Sequence, residues 1–174
     1  VAVGGEFLIP EGGVVDVEAL AEDALASIGI APPAIRTSPE AGGRLYVRVP
    51  TWVWVDGGWW HNYQATASAG RVTATVTARP VNAAWALGDG ADVVCSGPGV
   101  AWQPGLPEDA TDCAHTYTTS SAGRPGSTFQ LSATVALEVT WTSNVGEGGT
   151  LSSISRSSSR AVEVGEIQAI GTGG

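Results

Sequence analysis

Two short segments of the chain are rich in residue types that can do chemistry. The first, residues 85–90, reads Trp-Ala-Leu-Gly-Asp-Gly, and the second, residues 113–117, reads Cys-Ala-His-Thr-Tyr. Loop carboxylates are ligands that Ca²⁺ accepts, and a histidine near a carboxylate can act as a general base. The segments could therefore serve a metal site, a catalytic site or a structural framework.

A calcium site is the metal chemistry that these segments could support. Asp89 and Asp92, with Asp109 and Asp112 further along the chain, supply carboxylates. The Asp-Gly-Ala-Asp spacing is not that of a calcium loop, and aspartate is common in turns because its side chain bonds the backbone. The two Cys and two His include no CxxC or HxxxH pair for zinc. We therefore expect no metal site. Asp89 and Asp92 are the residues that would bind calcium if one were present.

Enzymatic chemistry has little support in the sequence. His61 or His115 could join a Ser-His-Asp triad, but the chain has no GxSxG segment. All eight basic residues are Arg, and the absence of Lys excludes a Schiff-base lysine and a GxxxxGK[ST] phosphate loop. The 17 acidic residues could supply a glycosidase pair, but no local cluster marks one. We expect a protein that is not an enzyme and has no cofactor.

Composition and charge argue against a nucleic acid partner and against a membrane span. The net charge is -9, which disfavours a nucleic acid partner, and no apolar run reaches the roughly 18 residues of a membrane span. Only 14% of the residues are charged, and Thr, Ser, Ala and Gly take their place. This mixture is typical of short strands joined by Gly-rich turns.

The two cysteines, Cys95 and Cys113, form an even count in a chain with few charges. This is typical of an exported protein with one disulfide, and the alternative is two free thiols in a cytosolic protein. A bridge would close a loop of about 18 residues and contribute about 3 kcal/mol, mainly through the unfolded state.

One helix is predicted near the N-terminus. Asp16 is the expected N-cap, and Gly29 is the expected stop. Between them an apolar stripe recurs at helical spacing, formed by Val17, Leu20, Ala21, Ala24, Leu25 and Ile28. Residues 30–43 are Pro-rich and predict an irregular linker.

From Arg44 onward the sequence predicts strands. Alternation of apolar and polar residues marks five segments, namely 44–50, 51–55, 63–80 with a turn at Ala69-Gly70, 129–141 and 161–170 with a possible bulge at Gly165. Short strands with frequent turns favour an antiparallel β-sandwich. We therefore expect a mainly β chain in which residues 1–43 form an arm, helix and linker, 44–170 the sandwich and 171–174 a tail.

The order of the motifs resembles the PKD domain, an extracellular Ig-like β-sandwich. The matching residues are Trp85, Gly88, Asp89, Gly90, His115 and Tyr117, followed by the alternating strand from Phe129. Leu87 replaces the usual aromatic residue, Phe129 replaces the usual Tyr, and the segment with both cysteines is longer than usual. The resemblance covers roughly residues 65–142 and implies that these residues hold a fold together.

The whole chain also looks like a group of exported proteins of high-GC Gram-positive bacteria. The shared features are the stretch before the sandwich that ends Pro-Thr-Trp-x-Trp, a Gly-Pro-Gly loop and a closing strand near Glu166. The resemblance implies a secreted or cell-surface location.

Aromatic residues and an apolar arm are the candidate binding features. Trp59, Trp60, Tyr63 and Trp102 could stack on sugars or fill a protein interface. Trp52 and Trp54 are expected in the core. Phe7, Leu8 and Ile9, in an N-terminal arm, could add a strand to a neighbouring sheet. We expect an adhesion or assembly module that contacts proteins or itself, or alternatively a carbohydrate-binding module.

Overall fold

The computed structural model describes residues 14–39 and 43–167 of the chain. These residues form one α-helix, nine strands and two short 3₁₀ turns, so the prediction of a mainly β chain with one N-terminal helix is confirmed. Within the described ranges, no helix is both long and apolar enough to cross a membrane. The predicted arm, Phe7 to Ile9, and the predicted tail lie outside the described residues.

Helix α1, Val17–Ser27, begins as its sequence predicts. The Oδ1 atom of Asp16 accepts a 3.0 Å hydrogen bond from the Ala19 N–H, and the predicted stripe is buried at Val17, Leu20, Ala21 and Ala24. The helix ends at Ser27. Ile28, its C-cap, is extended and donates its N–H to the Leu25 carbonyl oxygen, and the expected stop, Gly29, follows directly.

The nine strands form two sheets. The first sheet has the order β1-β3-β7, and the second has the order β2-β9-β8-β5-β4, with β6 paired to β5. The pairs β1–β3, β3–β7, β4–β5 and β5–β6 are antiparallel, and β2 runs parallel to β9. The strands are β1 (Ile35–Ser38), β2 (Arg44–Tyr46), β3 (Pro50–Val55), β4 (Tyr63–Ala69), β5 (Val72–Ala86), β6 (Asp92–Cys95), β7 (Ala114–Thr116), β8 (Phe129–Ser143) and β9 (Gly148–Gly165).

The chain divides into two compact units. The helix unit contains residues 14–31, 61–81 and 136–156, and the sandwich unit contains residues 32–60, 82–135 and 157–167. Strands β5, β8 and β9 contribute residues to both units. In the helix unit α1 packs against β4, and the sheet buries Ala67, Ala69, Ala74, Val76, Ala78, Leu137, Val139 and Trp141.

The sandwich unit contains the first sheet and the adjoining parts of the second. The Cys95–Cys113 disulfide links the two sheets, and the ring of Tyr117 stacks on Phe129 with centroids 5.4 Å apart. The unit buries an apolar core, which includes Ile35, Val53, Val55, Trp85, Leu87, Leu131, Ala133, Val135, Val162 and Val164.

Three predictions of local structure are wrong. The predicted linker contains β1, which pairs with β3. The predicted strand 44–50 stops at Tyr46, because the chain turns at Arg48, whose φ of 66° lies in the left-handed region. Strand β9 begins at Gly148, where a loop was expected, because pairing with β8 outweighs the weak β-propensity of its serines.

Candidate functional site

The disulfide closes a loop in the sandwich unit. Cys95 ends β6 and Cys113 directly precedes β7, with their Cα atoms 5.6 Å apart and 18 residues between them in sequence. The predicted disulfide is therefore confirmed, and no other cysteine remains free. We call residues 96–112 the disulfide loop.

The Gly-Asp-Gly turn lies against the start of β8. Gly88 has a φ of 88°, and a Cβ atom at this position would lie 2.7 Å from the Phe129 Cβ and 2.8 Å from the Gln130 backbone. The Oδ1 atom of Asp89 accepts a 3.0 Å hydrogen bond from the Ala91 N–H and closes the turn. Glycine is required at 88 both for its backbone conformation and for the lack of a side chain.

The His-x-Tyr segment holds this turn from the other side. Nε2 of His115 lies 2.8 Å from Oδ2 of Asp89, and the Tyr117 hydroxyl donates a 2.8 Å hydrogen bond to the Leu87 carbonyl oxygen. The His115 and Tyr117 rings meet edge to face, with centroids 4.7 Å apart. Trp85, near the end of β5, is fully buried. Of the six residues of the predicted motif, Asp89, His115 and Tyr117 therefore make contacts that hold the turn, and Gly88 packs against the start of β8.

Asp89 is held in its ionised form. Burial pushes the pKa of its carboxyl group upward, but the hydrogen bonds from His115 and Ala91 outweigh that effect, so the pKa lies below 3.8. Burial, with a smaller effect of the Asp89 charge, raises the pKa of the Tyr117 phenol far above its usual value. Both groups therefore keep one protonation state near neutral pH.

The calcium candidates do not form a ligand cluster with other residues. Asp89 is engaged by His115 and Ala91, while Asp92 lies in β6 opposite Ala86. Within residues 14–39 and 43–167, no group of three or more His, Cys, Asp or Glu side chains is placed to hold a metal ion.

The disulfide loop is anchored at both ends on β3. The Val55 N–H donates to the Pro98 carbonyl oxygen at 2.8 Å, and the Val53 N–H donates to the Cys113 carbonyl oxygen at 3.1 Å. At Gly99, with a φ of 87°, a Cβ atom would lie 2.7 Å from the Val53 carbonyl oxygen. The loop therefore leaves the sheet in a defined conformation.

The middle of the disulfide loop exposes apolar side chains. Trp102 is 45% exposed and Leu106 is 38% exposed. Both line a groove of about 260 Å³. Its other lining residues lie around the end of β1, around the start of β3 and in the disulfide loop, namely Ser38, Pro39, Val49, Pro50, Trp52 and Glu108. A rigid loop that presents an aromatic and an aliphatic side chain beside a groove is the kind of surface that binds partners.

The disulfide loop itself carries charge of one sign. Residues 96–112 contain Glu108, Asp109 and Asp112 and no Arg. Glu108 lines the same groove as Trp102. A partner that enters the groove therefore meets a carboxylate beside the apolar side chains.

The remaining aromatic candidates are less exposed. Trp59 is buried and Trp60 is half-buried, and their ring centroids lie 6.4 Å apart with the planes tilted by 59°. Tyr63 is half-buried and its ring lies 4.0 Å from that of His61. Of the four predicted binding residues, Trp102 presents the exposed ring.

Leu106 and the groove were not predicted. Leu106 stands between glycine and proline in the segment Pro-Gly-Leu-Pro, and an apolar residue in such a loop is a signal of an exposed side chain. The groove itself joins segments that lie far apart in sequence, so no local pattern shows it.

The chain matches no protein-family model, no curated protein and no solved structure. The likeness to PKD domains, carried by the segments at Trp85 and His115, therefore stays a prediction. The likeness to exported proteins of high-GC Gram-positive bacteria stays a prediction as well. The candidate site has to be interpreted from its own geometry.

Proposed function

We propose that this chain is a non-enzymatic β-sandwich module, exported or displayed at the cell surface, that binds a protein partner. The observation that carries the proposal is the exposure of Trp102 and Leu106 on a loop that is fixed by a disulfide and by β3. Pre-ordering the loop removes an entropic cost of binding, because the loop does not have to be immobilised when the partner docks.

The composition of the surface favours a protein partner over a sugar. Leu106 is aliphatic and has no ring face for a sugar to stack on, whereas an aromatic and an aliphatic side chain together fit an apolar anchor of a protein. The exposed carboxylates of the disulfide loop, Glu108, Asp109 and Asp112, favour a partner segment that carries Arg or Lys beside that anchor.

The proposal also includes a protein family and a cellular location. The contacts of Asp89 with His115, and of Leu87 with Tyr117, support a PKD-like domain because they give the Asp, His and Tyr of the motif a structural role. The disulfide supports an exported protein, since such bonds persist in oxidising compartments.

A selection from a displayed library of random peptides tests the protein-binding role. We expect the immobilised chain to enrich peptides that combine an aromatic or aliphatic anchor with Arg or Lys. The Trp102→Ala chain should lose these peptides. The matched control is Val145→Ala, an equally exposed apolar side chain in the β8–β9 turn, and it should retain them. Failure to enrich any peptide, or peptides that ignore Trp102→Ala, would overturn the proposal.

The second candidate function is carbohydrate binding, and it is favoured by the exposed ring of Trp102 alone. Polysaccharides of cell walls and plants should then quench the tryptophan fluorescence of the native chain. The quenching should disappear in the Trp102→Ala chain. Quenching without peptide selection would replace the protein-binding proposal by this one.

A further inference from the structure

Strand β9 presents a long outer edge in the helix unit. Strand β2 pairs only with Glu163–Gly165 at the far end of β9, and β8 lies on the inner side. Over residues 148–155, no strand of the described chain pairs with the outer side, and most of the side chains are exposed. Backbone N–H and C=O groups along such an edge can pair with an added strand.

The edge lacks the features that usually prevent strand addition. Residues 148–155 contain no proline and no charged residue. Beyond them the side chain of Arg156 is engaged, because its Nε donates to the Ile30 carbonyl oxygen at 3.1 Å. The tip of the hairpin is held, since Asn144 exchanges hydrogen bonds with Arg71 and with Thr73 at the start of β5. The open stretch is therefore short and has a fixed contact at each end.

A groove runs beside this edge. It has a volume of about 350 Å³. Strand β8 lines it with Glu138, Val139 and Thr140, and β9 lines it with Thr150, Leu151 and Ser153. A strand added to β9 would place alternate side chains toward this groove, since side chains alternate along a strand. The surface fits a short extended segment with apolar residues.

We propose that residues 1–13 of a second copy of this chain occupy the edge. That segment, which lies outside the described residues, reads Val-Ala-Val-Gly-Gly-Glu-Phe-Leu-Ile-Pro-Glu-Gly-Gly, and its apolar run ends at Pro10. It carries Glu6 and Glu11 and no Arg. The open stretch of the receiving strand is uncharged, Arg156 and Arg160 follow it, and no carboxylate lies between Glu147 and Glu163. The two glutamates of the segment therefore meet no carboxylate of residues 148–155.

The position of the helix favours a second copy over the same chain. Helix α1, which follows the arm, packs against β4, and β5 and β8 separate β4 from β9. The β9 edge of a second copy can meet the segment without this separation. Donor and acceptor surfaces then differ, so the contact either is exchanged reciprocally within a dimer or continues head to tail.

This inference is independent of the proposed binding role of Trp102. Two single-cysteine variants, Leu8→Cys and Ser153→Cys, test it, because both native cysteines are bonded to each other and leave no other thiol. The two full-length proteins are mixed, oxidised and separated on a non-reducing gel. In the control experiment, the Leu8→Cys protein is mixed with a Ser68→Cys protein instead of the Ser153→Cys protein. Ser68 is an exposed serine of β4. Light scattering of the unmodified chain gives its mass against concentration.

We expect mixed dimers with Ser153→Cys at least tenfold in excess over those with Ser68→Cys, and a mass that rises with concentration. A proline at the receiving edge, Ser155→Pro, should reduce the mixed dimer, while Trp102→Ala should leave it unchanged. Four results would overturn the proposal: a monomer without cross-links, cross-links equal at both serines, dimers of Ser153→Cys with itself only, or a bond within one chain of the Leu8→Cys/Ser153→Cys double variant.

Discussion

The hydroxyl of Tyr117 donates a 2.8 Å hydrogen bond to the backbone carbonyl oxygen of Leu87, 30 residues earlier in the chain. This buried bond ties the segment after β7 to the Gly-Asp-Gly turn. The same turn is held by the contact between Asp89 and His115. The two segments that first suggested catalysis therefore form one structural unit beside the disulfide loop.

Replacing Tyr117 by Phe should destabilise the chain. The buried Leu87 carbonyl oxygen would lose its donor, and the expected cost is about 1–2 kcal/mol in the free energy of unfolding. Denaturant unfolding followed by tryptophan fluorescence measures this change. The control is Tyr46→Phe, since the hydroxyl of the half-buried Tyr46 makes no hydrogen bond to the described residues. Equal stability of both variants would show that the Tyr117 bond contributes nothing.

The Gly-Asp-Gly turn offers a matched pair of glycine substitutions. Gly88→Ala would bring a Cβ atom to 2.7 Å from the Phe129 Cβ, whereas Gly90→Ala, at a φ of 97°, meets no atom within 4 Å. We expect Gly90→Ala to cost about 1–2 kcal/mol from backbone conformation alone. Gly88→Ala should cost at least about 2 kcal/mol more, because backbone atoms must move. Comparable melting temperatures for the two variants would contradict the close packing at Gly88.

The contact between Asp89 and His115 predicts sensitivity to acid. The pKa of Asp89 is lower in the folded chain than its unfolded value of 3.8, so this group stabilises the fold above that value. The contribution should be lost as the pH falls below about 4 toward the folded pKa. Asp89→Asn should lower the free energy of unfolding near pH 7 by about 1–3 kcal/mol. It should also flatten the acid dependence, and an unchanged slope between pH 5 and the acid transition would contradict this role.

The disulfide should stabilise the fold and order its loop. Replacing both cysteines, Cys95→Ala and Cys113→Ala, removes a bridge across 18 residues, and we expect a loss of about 3 kcal/mol. Hydrogen exchange of the Val53 and Val55 amides, which bond to the loop backbone, should become faster in this variant. Amide protection equal to that of the native chain would show that β3 alone fixes the loop.

Elements with local signals could be predicted from the sequence. The N-cap at Asp16, the stripe of α1 and the β4–β5 hairpin around Gly70 follow from residue types and spacing, and the structure contains each of them. The disulfide followed from the even cysteine count. The cap, the stripe and the hairpin depend on residues that are close in sequence. The disulfide could be predicted because two cysteines allow only one pairing.

Features that depend on distant partners could not be predicted. Strand β1 is flanked by prolines, and the first half of β9 is rich in serine, so both become strands because β3 and β8 pair with them. Trp59 follows a Gly-rich turn, so its sequence context alone does not decide between a binding residue and a core residue, and the fold buries it. Neither the groove at Trp102 nor the edge of β9 has a local pattern, since each arises from segments that meet only after folding.

Calorimetric titration of a selected peptide tests the role of the disulfide loop most directly. The native chain, Trp102→Ala and Val145→Ala are titrated with the same peptide after equal melting temperatures are verified. Truncation of a central anchor typically costs about 2 kcal/mol, so Trp102→Ala should weaken the affinity about 30-fold. Val145→Ala should bind like the native chain. Equal affinities of the native and Trp102→Ala chains would contradict binding through the loop.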